Sequence, residues 1–108
     1  MIRGTTPTFK LLINDETLNL TQASEVYATF GQGKNLITKQ GDDLTITCTE
    51  SEGVMNNEVD VYLNQSETLS FKAGTILCQL NWTYEDGERA CTNIIRINVG
   101  ENLVGDVL

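Results

Sequence analysis

The stretch Leu44-Thr45-Ile46-Thr47-Cys48-Thr49 alternates apolar and hydroxyl side chains over six positions. Successive side chains of an extended chain point to opposite faces, so this stretch can bury one face only as a strand of a half-solvated sheet. The same period recurs along the chain. Phe9, Leu11 and Ile13 share a face over residues 6–13, and Val26, Ala28 and Phe30 over residues 24–30. Over residues 58–64, Val59, Val61 and Leu63 face one way and Glu58, Asp60 and Tyr62 the other. Turn residues separate these runs: Asn14-Asp15-Glu16, Gly31-Gln32-Gly33-Lys34 before a returning strand at 35–40, and Gly41-Asp42-Asp43.

Residues 75–84 and 89–99 form the clearest hairpin. Asp86-Gly87 predicts a two-residue type I′ turn, in which both central residues need φ > 0. Partner numbers then add to 173: Trp82 opposite Cys91, Cys78 opposite Ile95, Ile76 opposite Ile97. Polar residues 50–57 read as a loop. Residues 65–72 read as a crossing between sheets, with Leu69 and Phe71 plugging the core. Residues 17–24 fit either a short helical turn or an irregular crossing. No 3.6-residue period persists long enough for a long helix. About seven strands with regularly spaced turns predict an all-β fold, an immunoglobulin-like antiparallel β-sandwich forming one domain over residues 1–108.

Composition narrows the function classes. The net charge of −8 is uneven. Residues 1–40 carry Arg3, Lys10, Lys34 and Lys39 against Asp15, Glu16 and Glu25, while residues 41–108 hold Lys72, Arg89 and Arg96 against twelve acids. Such a chain disfavours direct contact with nucleic-acid phosphates and with anionic membranes. The N-terminal residues lack an apolar signal core, and no apolar run is longer than that of Leu11-Leu12-Ile13, so the expectation is a soluble protein made in a cytoplasm. Cys48, Cys78 and Cys91 are odd in number, and the expected pairing sets Cys78 and Cys91 out of register. They read as free, buried thiols in a reducing compartment.

Histidine is absent. This removes the commonest general base and transition-metal ligand, and with it Ser-His-Asp and Cys-His catalysis. The cysteines lack the paired spacing of zinc sites, and the acids at Asp15-Glu16, Asp42-Asp43 and Glu85-Asp86 lack EF-hand spacing. No catalytic, cofactor or metal residues are assigned. Asn19, Asn64 and Asn81 head N-x-S/T triplets, but without a leader they carry no modification reading. Trp82 reads as core. The residues picked out for protein contact are Tyr27 and Tyr62, as outward aromatics, and Leu103, Val104, Val107 and Leu108, as an apolar tail after the last strand.

Several segments together carry a family resemblance. They are Ile2-Arg3-Gly4-Thr5-Thr6-Pro7-Thr8-Phe9, Leu20-Thr21, Val26-Tyr27-Ala28-Thr29-Phe30, Leu69-Ser70-Phe71-Lys72-Ala73-Gly74, Trp82, Asp86-Gly87 and Ile95-Arg96-Ile97-Asn98-Val99. The chain resembles small proteins of tail-gene regions in phages and prophages of Gram-positive bacteria, and more distantly the N-terminal sandwich of phage upper-baseplate proteins. The resemblance implies a virion-assembly or baseplate role, with tail proteins or a second copy as partners and a place in the host cytoplasm or the virion. It supplies no site residues. Upper-baseplate proteins continue into further domains, which this chain does not show. The rival expectation is an acidic decoy that mimics nucleic acid, with Asp42, Asp43, Glu50, Glu52, Glu58 and Asp60 along one face.

Overall fold

The computed structural model describes residues 1–103. Eight strands and one short helix follow in order: β1 (Thr8–Asp15), β2 (Glu25–Gln32), β3 (Asn35–Gln40), β4 (Leu44–Ser51), β5 (Val54–Tyr62), α1 (Gln65–Ser70), β6 (Gly74–Thr83), β7 (Arg89–Cys91) and β8 (Ile95–Val99). Two antiparallel sheets result. One has the order β1-β5-β4; the other has the order β3-β2-β6, with β7 and β8 both on the far side of β6. The expected all-β sandwich is present, with eight strands, and its strand orders correspond to B-E-D and C′-C-F-G in immunoglobulin lettering.

The alternation decides what goes inside. Leu11, Val59, Val61 and Leu44 point inward from one sheet, and Val26, Ala28, Phe30, Ile76, Cys78, Leu80 and Trp82 from the other. Phe9 and Phe30 meet across the sandwich with ring centroids 5.5 Å apart. Phe71 closes the end below α1 and is fully buried, as expected, whereas Leu69 is only half-buried.

Four local expectations need correction. Residues 50–57 are not a loop. Glu50 and Ser51 extend β4, Glu52 and Gly53 turn, and β5 already begins at Val54. Both turn residues have positive φ, 53° and 79°, as a type I′ turn requires. Glutamate seldom takes that conformation, so the usual Asn-Gly signal was missing.

The crossing at 65–72 contains helix α1. Asn64 caps it: its side chain accepts from the Glu67 N–H at 2.9 Å, and the Glu67 carboxylate accepts from the Asn64 N–H at 2.9 Å. This is a capping box written with Asn in place of Ser or Thr.

The Asp86-Gly87 turn is one residue longer than expected. Tyr84 N–H donates to Glu88 C=O at 2.8 Å and Gly87 N–H donates to Tyr84 C=O at 3.0 Å, leaving Glu85, Asp86 and Gly87 as the loop. Only Gly87 takes positive φ, 89°. Trp82 therefore faces Ala90, and Asn81 faces Cys91. Beyond the turn the expected register returns, with Cys78 opposite Ile95 and Ile76 opposite Ile97. An extra residue between Cys91 and Ile95 absorbs the difference as a bulge, and it divides the expected last strand into β7 and β8.

The three thiols are free, but only Cys78 is buried; Cys48 is half-buried and Cys91 exposed. Their strand parity explains the spread, because Cys91 points outward from β7 and Cys48 lies near the open end of β4.

The first residues are stitched to the last. Ile2 pairs in parallel with Gly100. Met1 N donates to Asn98 C=O at 2.8 Å, Gly100 N–H to Met1 C=O at 2.8 Å and Arg3 N–H to Gly100 C=O at 3.0 Å. The Arg3 guanidinium donates to the Phe71 and Leu69 carbonyls at 2.6 and 3.0 Å, satisfying groups that the short helix leaves bare. The β1–β2 connection is pinned from inside by Asn57, which is 1% exposed. Its carbonyl accepts from Leu20 N–H, and its amide donates to Leu18 and Ile13 C=O, all between 2.9 and 3.1 Å.

Candidate functional site

Each sheet has one face turned away from the core, and the two outer faces differ in chemistry. On the three-stranded sheet, Lys10 lies beside Asp60 and Leu12 beside Glu58 across β1 and β5, and Thr45 and Thr47 flank the same two acids on β4. Asp42 and Asp43 turn in at one end, where they line a groove with Lys39, Thr45, Asp60 and Tyr62. One oxygen of Asp60 is buried there without a hydrogen-bond partner among the described residues.

On the five-stranded sheet, the outward strand positions are Glu25, Tyr27, Thr29 and Gly31 from β2, and Leu36, Thr38 and Gln40 from β3. Thr75, Leu77, Gln79, Asn81 and Thr83 follow on β6, with Arg89, Cys91, Arg96 and Asn98 on the last edge. One acid and two bases stand among these strand positions. Leu36, Leu77 and Ile94 are 66%, 38% and 54% exposed, and they line one shallow groove of about 400 Å³ with Gly31, Gln79 and Arg96. Gly31 matters for the shape of this groove. A Cβ there would come within 2.7 Å of a Leu36 methyl, so the bare backbone lets Leu36 lie across it. Apolar side chains gathered on an outer sheet face are the usual mark of a contact surface.

The residues expected to make contacts are dispersed. Tyr62 is 49% exposed on the acidic face. Tyr27 lies on the opposite sheet and is half-buried; its hydroxyl donates to the Glu25 carboxylate, which pushes the phenol pKa up. Leu103 is fully exposed beyond the last strand. Val104, Val107 and Leu108 lie outside the described residues. The N-terminal residues are occupied in pairing with Gly100 and capping α1.

Sequence reasoning passed over Leu36, Leu77 and Ile94. The signal was present for the first two: each is an apolar residue at an outward position of a strand whose inward positions are already filled.

The six acids proposed for a decoy do not form one line. Asp42, Asp43 and Asp60 share a groove and Glu58 follows along β5, but Lys10 interrupts them, and Glu50 and Glu52 sit at the far end of the β4–β5 hairpin. A second acidic zone joins the β1–β2 and β6–β7 connections, where Thr17, Asn19 and Gln22 face Glu85, Asp86 and Glu88. Asp15 beside it accepts from Thr17 and Leu18 N–H, which lowers its carboxyl pKa.

Two of the N-x-S/T triplets are caps. Asn19 accepts from Thr21 N–H at 3.0 Å to close a 3-10 turn, and Asn64 starts α1. Asn81 is exposed on the five-stranded face. Trp82 is core, as expected, at 6% exposure, and its indole N–H has no acceptor among the described residues. Burial alone pushes the Cys78 thiol up to about 11, so this cysteine is held as an apolar filler rather than a nucleophile. Among the described residues no three Asp, Glu or Cys side chains come together to hold a metal ion, and no helix is long and apolar enough to cross a membrane.

No family model matches this chain, and no curated protein or solved structure matches it significantly.

Proposed function

We propose that this chain is a non-enzymatic interaction protein that works through protein–protein contact, as a tail-associated component of a phage or prophage. The observation that carries the contact reading is the outer face of the five-stranded sheet, where Leu36, Leu77 and Ile94 sit exposed in a groove whose one charged residue is Arg96, in a chain of net charge −8. Leaving apolar side chains in water forgoes about 25 cal/mol per Å² of the stabilisation that burial would give, so a partner that covers them has a ready driving force. The phage assignment rests on the resemblance to tail-region proteins of segments spread along the chain from Ile2–Phe9 to Ile95–Val99.

The test follows a tagged copy through induction of a lysogen that carries the gene. Cosedimentation with tail particles is expected, together with its loss in Leu36→Glu. A protein that stays entirely in the free fraction refutes the assignment.

The decoy reading keeps one supporting observation, the convergence of Asp42, Asp43 and Asp60 in one groove, with Glu58 next along the outer face of β5. Competition against a host nucleic-acid-binding protein, with Asp60→Asn and Glu58→Gln losing potency, is the result that would favour it.

A further inference from the structure

We infer that the occupant of the five-stranded outer face is a second copy of this chain, in a face-to-face two-fold dimer; this rests on the contact reading above. Three observations converge on it.

The first is charge. Two copies of a −8 chain repel each other, and most surfaces of this molecule would bring carboxylates together. The outer face of the three-stranded sheet presents Asp60 and Glu58 with Asp42 and Asp43 at its end, and the β1–β2 and β6–β7 connections add Glu85, Asp86 and Glu88. The outer five-stranded face carries Glu25 as its single strand acid, at one end beside Thr83 and Arg89. Pairing through this face puts the two acidic sheets on opposite sides of the dimer, with the thickness of both sandwiches between them.

The second is area. The central strand β6 has ten residues, and four strands lie side by side across the face. With each strand taken at its own length, about 3.3 Å per residue and about 4.8 Å per strand give a face of roughly 500 Å² in projection. Two copies would bury about 1,000 Å², the area a biological interface has to reach and the size of a weak, concentration-dependent dimer.

The third is self-complementarity, which a two-fold interface requires. Across one row of the face, Leu36, Gly31, Leu77 and Arg96 stand in order over β3, β2, β6 and β8. A two-fold axis along the strands reverses that order in the partner. It sets the projecting Leu77 of each copy over the Gly31 row position of the other, where Leu36 lies flat against bare backbone.

The experiment is sedimentation equilibrium of the whole chain from about 1 to 500 µM, the range over which an interface of this size associates. A mass rising from 11.9 kDa to twice that value is expected. Raising salt should tighten the dimer, because screening weakens the net repulsion. Leu36→Glu and Ile94→Glu, both more than half exposed, should each move the midpoint at least tenfold upward in concentration. Leu12→Glu, 68% exposed on the other sheet, should leave it in place. Circular dichroism of each variant confirms that it is folded.

A monomer mass at every concentration overturns the dimer. So does a dimer that Leu12→Glu breaks and Leu36→Glu does not. The contact reading fails separately: a monomeric wild type whose Leu36→Glu variant loses tail-particle cosedimentation has a different partner on this face, whereas a monomer indifferent to Leu36→Glu in both assays has no contact surface there.

Discussion

Removing the three hydrogen bonds of Asn57 tests how much of the sandwich depends on one buried amide. In Asn57→Ala, Leu20 N–H and the carbonyls of Ile13 and Leu18 lose their side-chain partner in a site 1% exposed. Leaving a buried polar group unsatisfied costs about 1–3 kcal/mol, so the expected loss for three groups is about 3–9 kcal/mol, a large part of the 5–15 kcal/mol that holds a typical domain. Trp82, the single tryptophan and 6% exposed, reports the transition by fluorescence during urea unfolding.

The isosteric Asn57→Asp adds a pH signature. The carboxylate keeps the bond from Leu20 N–H but turns lone pairs toward two carbonyl oxygens, and its charge is buried. Its folded pKa should therefore rise above the unfolded value near 3.9. Stability of the variant then falls by about 1.4 kcal/mol per pH unit between those two values, and its deficit against the wild type shrinks as pH drops toward 4. Equal stability of Asn57→Asp and wild type at pH 7 would refute the reasoning, and so would a deficit that stays constant from pH 7 to pH 4.

Other perturbations have similarly bounded outcomes. Arg3→Met should cost about 2–4 kcal/mol in urea unfolding by stranding the Phe71 and Leu69 carbonyls, whereas Glu101→Gln removes only an exposed pair worth well under 1 kcal/mol. Glu67 is penalised by burial, but its bonds to the Lys39 ammonium and Asn64 N–H outweigh that penalty and lower its pKa. Glu67→Gln should then cost about 1–2 kcal/mol at pH 7, with the gap to wild type closing as pH falls below the unfolded value near 4.3 and through the lower folded one, read from melting curves. Glu52→Asn should raise stability by about 0.5–1 kcal/mol in thermal melts, because asparagine tolerates the φ of 53° that glutamate is made to adopt.

The sandwich was legible because its determinant is local. Period-two alternation in residues 44–49 and 58–64 specifies which side chains face the core, and the burial of Leu44, Val59, Val61 and Leu63 follows that pattern residue by residue. Turn geometry was less legible, because it depends on backbone conformations that unusual residues can be held in. Glu52 carries no turn signal for that reason, and Asp86-Gly87 fits a two-residue turn as readily as the observed three-residue one. The register past the bulge was recovered because Cys78 and Ile76 must still meet apolar partners.

Helix α1 was signalled by Asn64 and Glu67, but six residues carry too little periodicity to be seen without the cap. The candidate surface was the least legible. Leu36 and Leu77 stand at outward positions of strands distant in sequence, and only the β3-β2-β6 order brings them into one groove.

The parallel pairing of Ile2 with Gly100 bears on how the molecule carries tension. A pull between residue 1 and residue 103 draws two parallel segments in opposite directions along their length. The bonds from Met1 N to Asn98, from Gly100 N to Met1 and from Arg3 N to Gly100 are then loaded together in shear rather than opened one after another. The Arg3 guanidinium anchors the same segment to the far end of α1. Force applied at residues 1 and 103 therefore meets this clasp, which includes Asn98 at the end of β8, before it reaches the rest of the sheets, and these stay closed until the clasp gives way.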